Sequence, residues 1–376
     1  MTLTRDPRPG DSLEFLDTPV VVIDLERLNR NIREWQSWMD EHSVKFRPHI
    51  KTHKIPEIAQ LQIAAGATGI VCAKSSEAEP FAAAGIRDIC IAYPVFGELK
   101  WQRIAAMAKL GVRMTVNCDN EEAARGLSAA ASAANVTIYV QIDIDSGMHR
   151  GGIPFTNVAE IEQLARIIRD QPGLQFDGIT TFRATSFENA QNACDAGHEE
   201  AQLLVQIAEK LRSAAIEVRN VTAGSTPTGR SVAEVKGITE VRAGTYVFND
   251  LMQLGAGSAR NDQLAISVLC SVVSRGNNRV TIDGGSKTFS GDVPKQNANA
   301  GTSAPLAQAL DQPIFVERFS EEHGVARSEC NVELGAKLRF LPYHACTCLN
   351  MTDKVVGIRN NRVEVVWAVK ARGLRA

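Results

Sequence analysis

The stretch Arg47-Pro-His-Ile-Lys-Thr-His53 sets one lysine, Lys51, among cationic and imidazole side chains just after a short apolar run. An amine attacks a carbonyl only when unprotonated, and neighbouring positive charge with partial burial lowers a lysine pKa. Lys51 therefore has the setting of a Schiff-base nucleophile; the competing reading is a basic, solvated strand end. Two further segments carry matching chemistry. Gly224-Ser-Thr-Pro-Thr228, followed by Arg242-Ala-Gly244-Thr245-Tyr246, supplies glycines for close backbone approach and hydroxyl donors, the makings of a phosphate cup without a lysine. The loop Asp145-Ser-Gly-Met-His-Arg150 offers an arginine to a ligand's phenolic oxygen, or else an Asp145–Arg150 loop ion pair.

These residues need elements to hold them. Apolar runs recur at Val20–Ile23, Val44–Phe46, Gly69–Ala73, Asp88–Ala92, Arg113–Asn117, Thr137–Ile144, Gln175–Thr181 and Val218–Ala223, with amphipathic Ala/Glu/Leu/Arg stretches between them. Strands apolar on successive residues and alternating with helices are the signature of a parallel sheet covered on both faces. The glycine-rich dinucleotide fingerprint is missing after the first run, which favours a (β/α)8 TIM barrel over a doubly wound sheet. In such a barrel, catalysis sits at the C-terminal ends of the strands and phosphate at the loops after the last two. From about Leu264 the texture becomes alternating, as in Leu264–Cys270 and Val363–Val369, which predicts a second, smaller, mainly antiparallel β domain. The expected division is an N-terminal segment 1–18 packing with the β domain, a barrel 19–255 and a β domain 256–376.

With 376 residues and 44% hydrophobic content the chain has material for about two domains. A net charge of -2 without basic runs gives no footprint for nucleic acid. Neither a signal-peptide core nor the roughly 18 apolar residues of a membrane span occurs, and the eight cysteines are mostly scattered singly, so a cytoplasmic protein is expected.

Pro48-His-Ile-Lys51-Thr-His53, Asp145-x-Gly147-x-x-Arg150-x-Gly152, Gly224-Ser-Thr-Pro-Thr228 and Gly244-Thr-Tyr246 occur in an order that resembles the D-threonine aldolase and D-serine dehydratase family. These are fold-type III pyridoxal phosphate enzymes with an alanine-racemase-like barrel. The resemblance spans nearly the whole chain. It implies that Lys51 bears pyridoxal 5'-phosphate, that Gly224, Ser225, Thr226, Gly244 and Thr245 hold its phosphate with help from Tyr246, and that Arg150 lies beside its phenolic oxygen. It also directs attention to Glu321-Glu-His323 and to Leu341-Pro-Tyr-His344-Ala-Cys346-Thr-Cys348. Residues i and i+2 of an extended segment share a face, so His344 and Cys346 can meet one ion. Imidazole with thiolate suits zinc better than magnesium or calcium, with manganese or magnesium as alternative loadings. A two-residue set leaves positions for water and substrate, and in this family a His-x-Cys or His-x-Asp pair at this location is the metal site. Cys348 reads as a spare buried thiol in preference to a third ligand, and His323, on family grounds, as a group near the substrate in preference to a polar loop residue.

The resemblance further implies a homodimer and a D-configured β-hydroxy amino acid as substrate. Dehydration gives a keto acid and ammonia; retro-aldol cleavage gives glycine and an aldehyde. Cys346 resembles the dehydratases, whose aldolase counterparts typically carry aspartate, so a D-serine or D-threo-3-hydroxyaspartate dehydratase leads. A racemase, with Tyr343 as its second base, and a non-catalytic cofactor carrier are the alternatives. One departure stands out: after the run Gln175–Thr181 the family usually has an aromatic residue and a Gly-His pair, whereas this chain reads Phe182-Arg183-Ala-Thr-Ser-Phe187. Arg183 either recognises a second substrate carboxylate or pairs with a surface acid.

Overall fold

The computed structural model describes residues 6–183, 187, 189–292 and 304–376. Met1–Arg5 of the N-terminal segment, and Ala184–Ser186 after Arg183, lie outside the described residues. The chain divides into two compact units, one of residues 33–244 with 373–376, the other of residues 1–32 with 245–372.

In the first unit, eight strands run parallel: Lys45–Phe46, Ile70–Cys72, Asp88–Pro94, Arg113–Cys118, Ile138–Asp145, Leu174–Thr181, Asn220–Ala223 and Glu240–Val241. The last pairs with the first, Glu240 opposite Lys45. The first closes on the second through a His49–Val71 bridge and a 2.8 Å hydrogen bond from the Val71 amide to the Pro48 carbonyl. This is the (β/α)8 barrel, with helices such as Pro56–Ala64, Glu121–Ala134 and Ala190–Ser213 between strands. Asn120 opens one of them by accepting the Ala123 amide N–H at 2.8 Å, and Asn135 ends it in the left-handed conformation.

One strand is corrected. Val20–Asp24 pairs antiparallel with Ile266–Gly276 and parallel with Lys354–Arg359, in the other unit, and the eighth barrel strand is Glu240–Val241. Burial on both sides gives Val20–Ile23 the same apolar composition as a barrel strand. Glu240–Val241 carries no hydrophobic signature because it is two residues long and Glu240 is buried by ion pairing. Arg47 holds Glu240 through Nε at 2.8 Å and also bonds Asp88, while Arg113 holds Asp177 at 2.9 Å. The barrel interior is thus partly ionic.

The second unit contains a closed six-stranded antiparallel barrel. Ile266–Gly276 pairs with Arg279–Ile282, followed around by Gly324–Ser328, Ile314–Phe319, Ala307–Ala309 and Lys337–Pro342, which returns to Ile266–Gly276. Val20–Asp24, Lys354–Arg359 and Arg362–Ala368 extend this sheet over a core of Val22, Leu269, Val356, Ile358 and Val363.

Candidate active site

Every candidate in the barrel unit sits just past the C-terminal end of a parallel strand, the end where barrel enzymes place their chemistry. Lys51 lies in the single turn Ile50–Thr52 that follows the first strand, and its amide N–H donates to His49 Nδ1 at 3.3 Å. Phe182, one residue past Leu174–Thr181, presents its ring to two cations. Lys51 Nζ is 5.8 Å and the Arg150 guanidinium 4.8 Å from the ring centroid.

Asp145 does not pair with Arg150. Its carboxylate bonds the His149 ring at 2.9 Å and the amides of Gly147 and His149. The loop ion pair between Asp145 and Arg150 is therefore not formed, and the Arg150 guanidinium lies over the Phe182 ring. Arg242, buried past the eighth strand, bonds the Thr180 hydroxyl. Burial, then Lys51, Arg242 and Arg150, hold the His49 imidazole well below its ordinary pKa. Burial also pushes the Asp143 carboxyl up to about 6, although Arg242 and Arg150 pull it down. Three cations around a neutral imidazole and one carboxyl leave the barrel mouth with positive charge to share with an anion.

The turn after Asn220–Ala223 is built for close approach. Gly224 has φ +91°, and a Cβ there would stand 3.0 Å from Gly229 Cα. Its N–H is given to Glu200, so Gly224 shapes the turn while its neighbours supply hydroxyls. The Ser225 amide donates to Thr228 Oγ1 at 2.9 Å, and Thr226 is buried. At Gly244 a Cβ would come within 2.8 Å of the His49 carbonyl oxygen, so glycine alone lets the eighth strand end beside the Lys51 turn.

Thr245 and Tyr246 belong to the other unit, where Tyr246 is fully buried and Thr245 Oγ1 lies 3.7 Å from Cys346 Sγ. His344 caps the short helix Ala345–Leu349, with Cys346 in its first turn, so the pair is not on an extended segment. The two side chains still meet, because an extended cap residue folds back over its first turn; they are hydrogen-bonded. Burial opposes protonation of His344, but Cys346, Asp250 and Asp292 together raise it to about 10. Asp292 Oδ2 is 2.5 Å from His344 Nδ1. A carboxylate on one ring nitrogen fixes the ring and its basicity, as it does for metal-binding histidines. Asp250, fully buried, caps Leu251–Gly255 through Gln253 N–H at 2.9 Å and accepts the Ala345 N–H at 2.8 Å, which holds the loop between the two candidate ligands. Among the described residues no cluster of three metal-type ligands forms; His344 and Cys346 stand side by side, with Asp292 on the imidazole. Cys348 is a buried thiol raised to about 12 by burial, 3.4 Å from the Thr288 carbonyl.

Two other expected residues have partners of their own. Arg183 forms an ion pair with Glu199 at 2.7 Å, the surface-acid outcome. His323 is exposed, with its carbonyl accepting the Ser320 N–H. Sequence reasoning missed Phe182, Arg242, Asp143, Asp250 and Asp292. Only Asp250, an aspartate just before a Leu-Met-Gln-Leu run, carries a local cap signal. The others are brought in by strand register and by the turn preceding His344.

Residues 23–251 match the family profile described as the alanine racemase N-terminal domain, and residues 265–358 match one described as a serine dehydratase domain. The chain belongs to the D-threonine aldolase and D-serine dehydratase family of fold-type III pyridoxal phosphate enzymes. It is 33% identical to a D-threonine aldolase from Arthrobacter sp. over 99% of this chain and 97% of that protein. To the D-threo-3-hydroxyaspartate dehydratase of Delftia sp. strain HT23 it is 34% identical, over 89% and 92%. The crystal structure of D-threonine aldolase from Filomicrobium marinum superposes with a TM-score of 0.90 at 28% identity, covering 98% of this chain and 99% of that one. Membership makes the protein a pyridoxal-phosphate-dependent lyase. The residues present fit that cofactor: an amine on a barrel strand end, excess cationic charge, and a hydroxyl-lined turn with the glycine its backbone requires.

Proposed function

We propose that the protein is a metal-assisted lyase of D-configured β-hydroxy amino acids, and that it dehydrates them to a keto acid and ammonia. The observation that carries this reading is the cation-rich barrel mouth around Lys51, Arg150 and Arg242 with a neutral His49 among them. Lys51 would hold pyridoxal phosphate covalently, the Ser225–Thr226 turn its phosphate, and Arg150 its phenolic edge. When bound, that cofactor supplies a sink for negative charge at Cα, and a divalent metal on His344 and Cys346 supplies Lewis-acid polarisation of a β-hydroxyl.

The chain's own residues then have defined tasks. The amine of Lys51, released when substrate takes its place, accepts the Cα proton. Phe182 sets its ring face toward both that amine and the Arg150 guanidinium. His49, kept neutral, adds no charge of its own and offers Nδ1 to the Lys51 amide, which fixes the turn. Asp250 and Asp292 hold the His344–Cys346 loop in one arrangement.

Imidazole and thiol favour zinc on softness, and a cysteine-to-alanine variant of a D-threo-3-hydroxyaspartate dehydratase, a protein of the same family, is described in a metal-free form. The thiol at position 346 supports dehydration; retro-aldol cleavage is the second reading, favoured by the Arthrobacter relative. The deciding experiment incubates the metal-replete protein with D-serine, D-threonine and D-threo-3-hydroxyaspartate. Ammonia with a keto acid supports dehydration, glycine with an aldehyde establishes cleavage, and turnover that survives complete metal removal rejects both.

A further inference from the structure

Glu200 lies within the helix Ala190–Ser213 and is 1% exposed, yet none of the chemistry above uses it. A carboxylate leaves water only where donors replace it, and here the donors come from two different strand ends. The amide of Arg183, past Leu174–Thr181, donates to Oε1 at 3.2 Å, and the Thr228 hydroxyl donates to Oε2 at 3.3 Å. The Gly224 amide is a third donor. Thr228 Oγ1 in turn lies 3.1 Å from the Ser225 hydroxyl and accepts the Ser225 amide. A chain of hydroxyls thus runs from Ser225 to a buried acid.

Each hydroxyl has one proton to give, so the chain has a direction. With Glu200 ionised, Thr228 points its proton at the carboxylate, and its oxygen draws the Ser225 proton inward. With Glu200 protonated the order reverses: the carboxyl donates to Thr228, Thr228 to Ser225, and Ser225 turns its proton outward toward an anion.

We propose that Glu200 is a positioning residue whose protonation state sets the direction of this chain, so that the Gly224–Thr228 turn takes up a proton from solvent when it binds a phosphate monoester dianion and returns it on release. The inference rests on the reading of that turn as the cofactor's phosphate site. Burial raises the Glu200 carboxyl to about 7 against the opposing Gly224, Arg183 and Thr228 hydrogen bonds and the Arg183 charge, which brings the event into an accessible pH range. The other charged groups nearby are engaged with one another: Arg183 with Glu199, His198 with Glu234 at 2.8 Å, and Asp177 with Arg113. Arg230, on the short helix after the turn, stacks on Trp35 and Trp38.

The probe is 4-deoxypyridoxine 5'-phosphate, which has ring and phosphate but no aldehyde, so Lys51 chemistry does not enter. Its binding to the cofactor-free protein is followed by calorimetry at about pH 8 in two buffers of different ionisation enthalpy. The probe's own titration is common to all variants, so differences between them are read. Wild type is expected to take up more protons than Glu200→Gln, and its affinity to fall by roughly tenfold between about pH 7 and pH 8.5 while that of Glu200→Gln stays level. Thr228→Val keeps the acid but cuts the chain, and is expected to lose the extra uptake too. Equal uptake by wild type and Glu200→Gln, or undiminished uptake by Thr228→Val, overturns the inference and leaves the cofactor reading standing. A wild-type protein that does not bind the probe overturns both.

Discussion

Arg47→Met tests whether the ionic floor of the barrel positions the Lys51 turn. Arg47, four residues before Lys51, is 6% exposed at its side chain; its partners Glu240 and Asp88 are 1% and 25% exposed. Removing the guanidinium does not orphan both acids equally. Asp88 keeps water and Arg113, 3.7 Å away, whereas among the described residues Glu240 retains a long 3.4 Å contact from the Thr222 hydroxyl. The cost is therefore that of one uncompensated buried carboxylate, about 3–5 kcal/mol. For a unit of this size that is a fall of about 6–20 °C in the unfolding midpoint, at roughly 2–4 °C per kcal/mol. Adding Glu240→Leu removes the orphaned charge and should recover at least half of the loss, because a buried ion pair replaced by apolar groups is close to neutral. Thermal unfolding by circular dichroism measures both steps, and the absorbance of cofactor-loaded protein reports whether the Lys51 turn is retained. Additive losses in the double variant, or a single-variant loss under about 1 kcal/mol, would refute the reasoning.

Metal binding at His344 and Cys346 must displace the proton that Cys346, Asp250 and Asp292 hold on the imidazole up to about pH 10. Metal affinity should therefore rise steadily with pH through the neutral range, as chelator competition will show, and a level profile between about pH 6 and 8 counts against this ligand set. Gly224→Ala forces an L side chain to φ +91° with its Cβ 3.0 Å from Gly229 Cα; at about 1–2 kcal/mol of backbone strain, cofactor retention should drop by roughly tenfold in a dialysis assay, and unchanged retention contradicts the role given to the turn. Because Glu199 already holds Arg183, Arg183→Ala should change the preference between D-threo-3-hydroxyaspartate and D-serine by less than about twofold, measured as the ratio of kcat/KM values; a larger shift would return Arg183 to the substrate.

What the sequence made legible follows from where the signal is local. Lys51, Arg150 and the Gly224 turn announce themselves because each is set at a strand end inside a short motif, and strand ends are where a parallel barrel exposes chemistry. The barrel's first and last strands were harder to read, for opposite reasons. Val20–Ile23 looks like a buried parallel strand because it is buried on both faces, but in a mixed sheet; composition reports burial and not partners. Glu240–Val241 looks like nothing, because its buried acid is balanced by Arg47, 193 residues away in sequence. Phe182 and Arg242 escape notice on the same ground: one is an ordinary aromatic and the other an ordinary arginine until strand register sets them beside Lys51 and Thr180.

The residues hidden from sequence are mostly those that act through another group, and this asymmetry has a physical origin. A group that does chemistry needs a rare residue type at a particular exposed position, so a motif shows it. A group that holds the chemist in place needs only a donor, an acceptor or a charge at the right distance. Many residue types satisfy that, and the distance is fixed by the fold. Asp250 illustrates the case: as a helix cap it was foreseeable, but its second bond, to the amide between His344 and Cys346, exists only because the return of the chain from Lys337–Pro342 brings that amide within 2.8 Å. Asp250→Asn retains the cap acceptor but sets an amide NH2 against one of the N–H groups its carboxylate now accepts. One buried donor then goes unpaired, at a cost of about 1–3 kcal/mol. If Asp250 acts through the loop and not on substrate, the variant should lose metal affinity, with kcat recovering at saturating metal; a kcat loss that excess metal does not restore would place Asp250 in the chemistry itself.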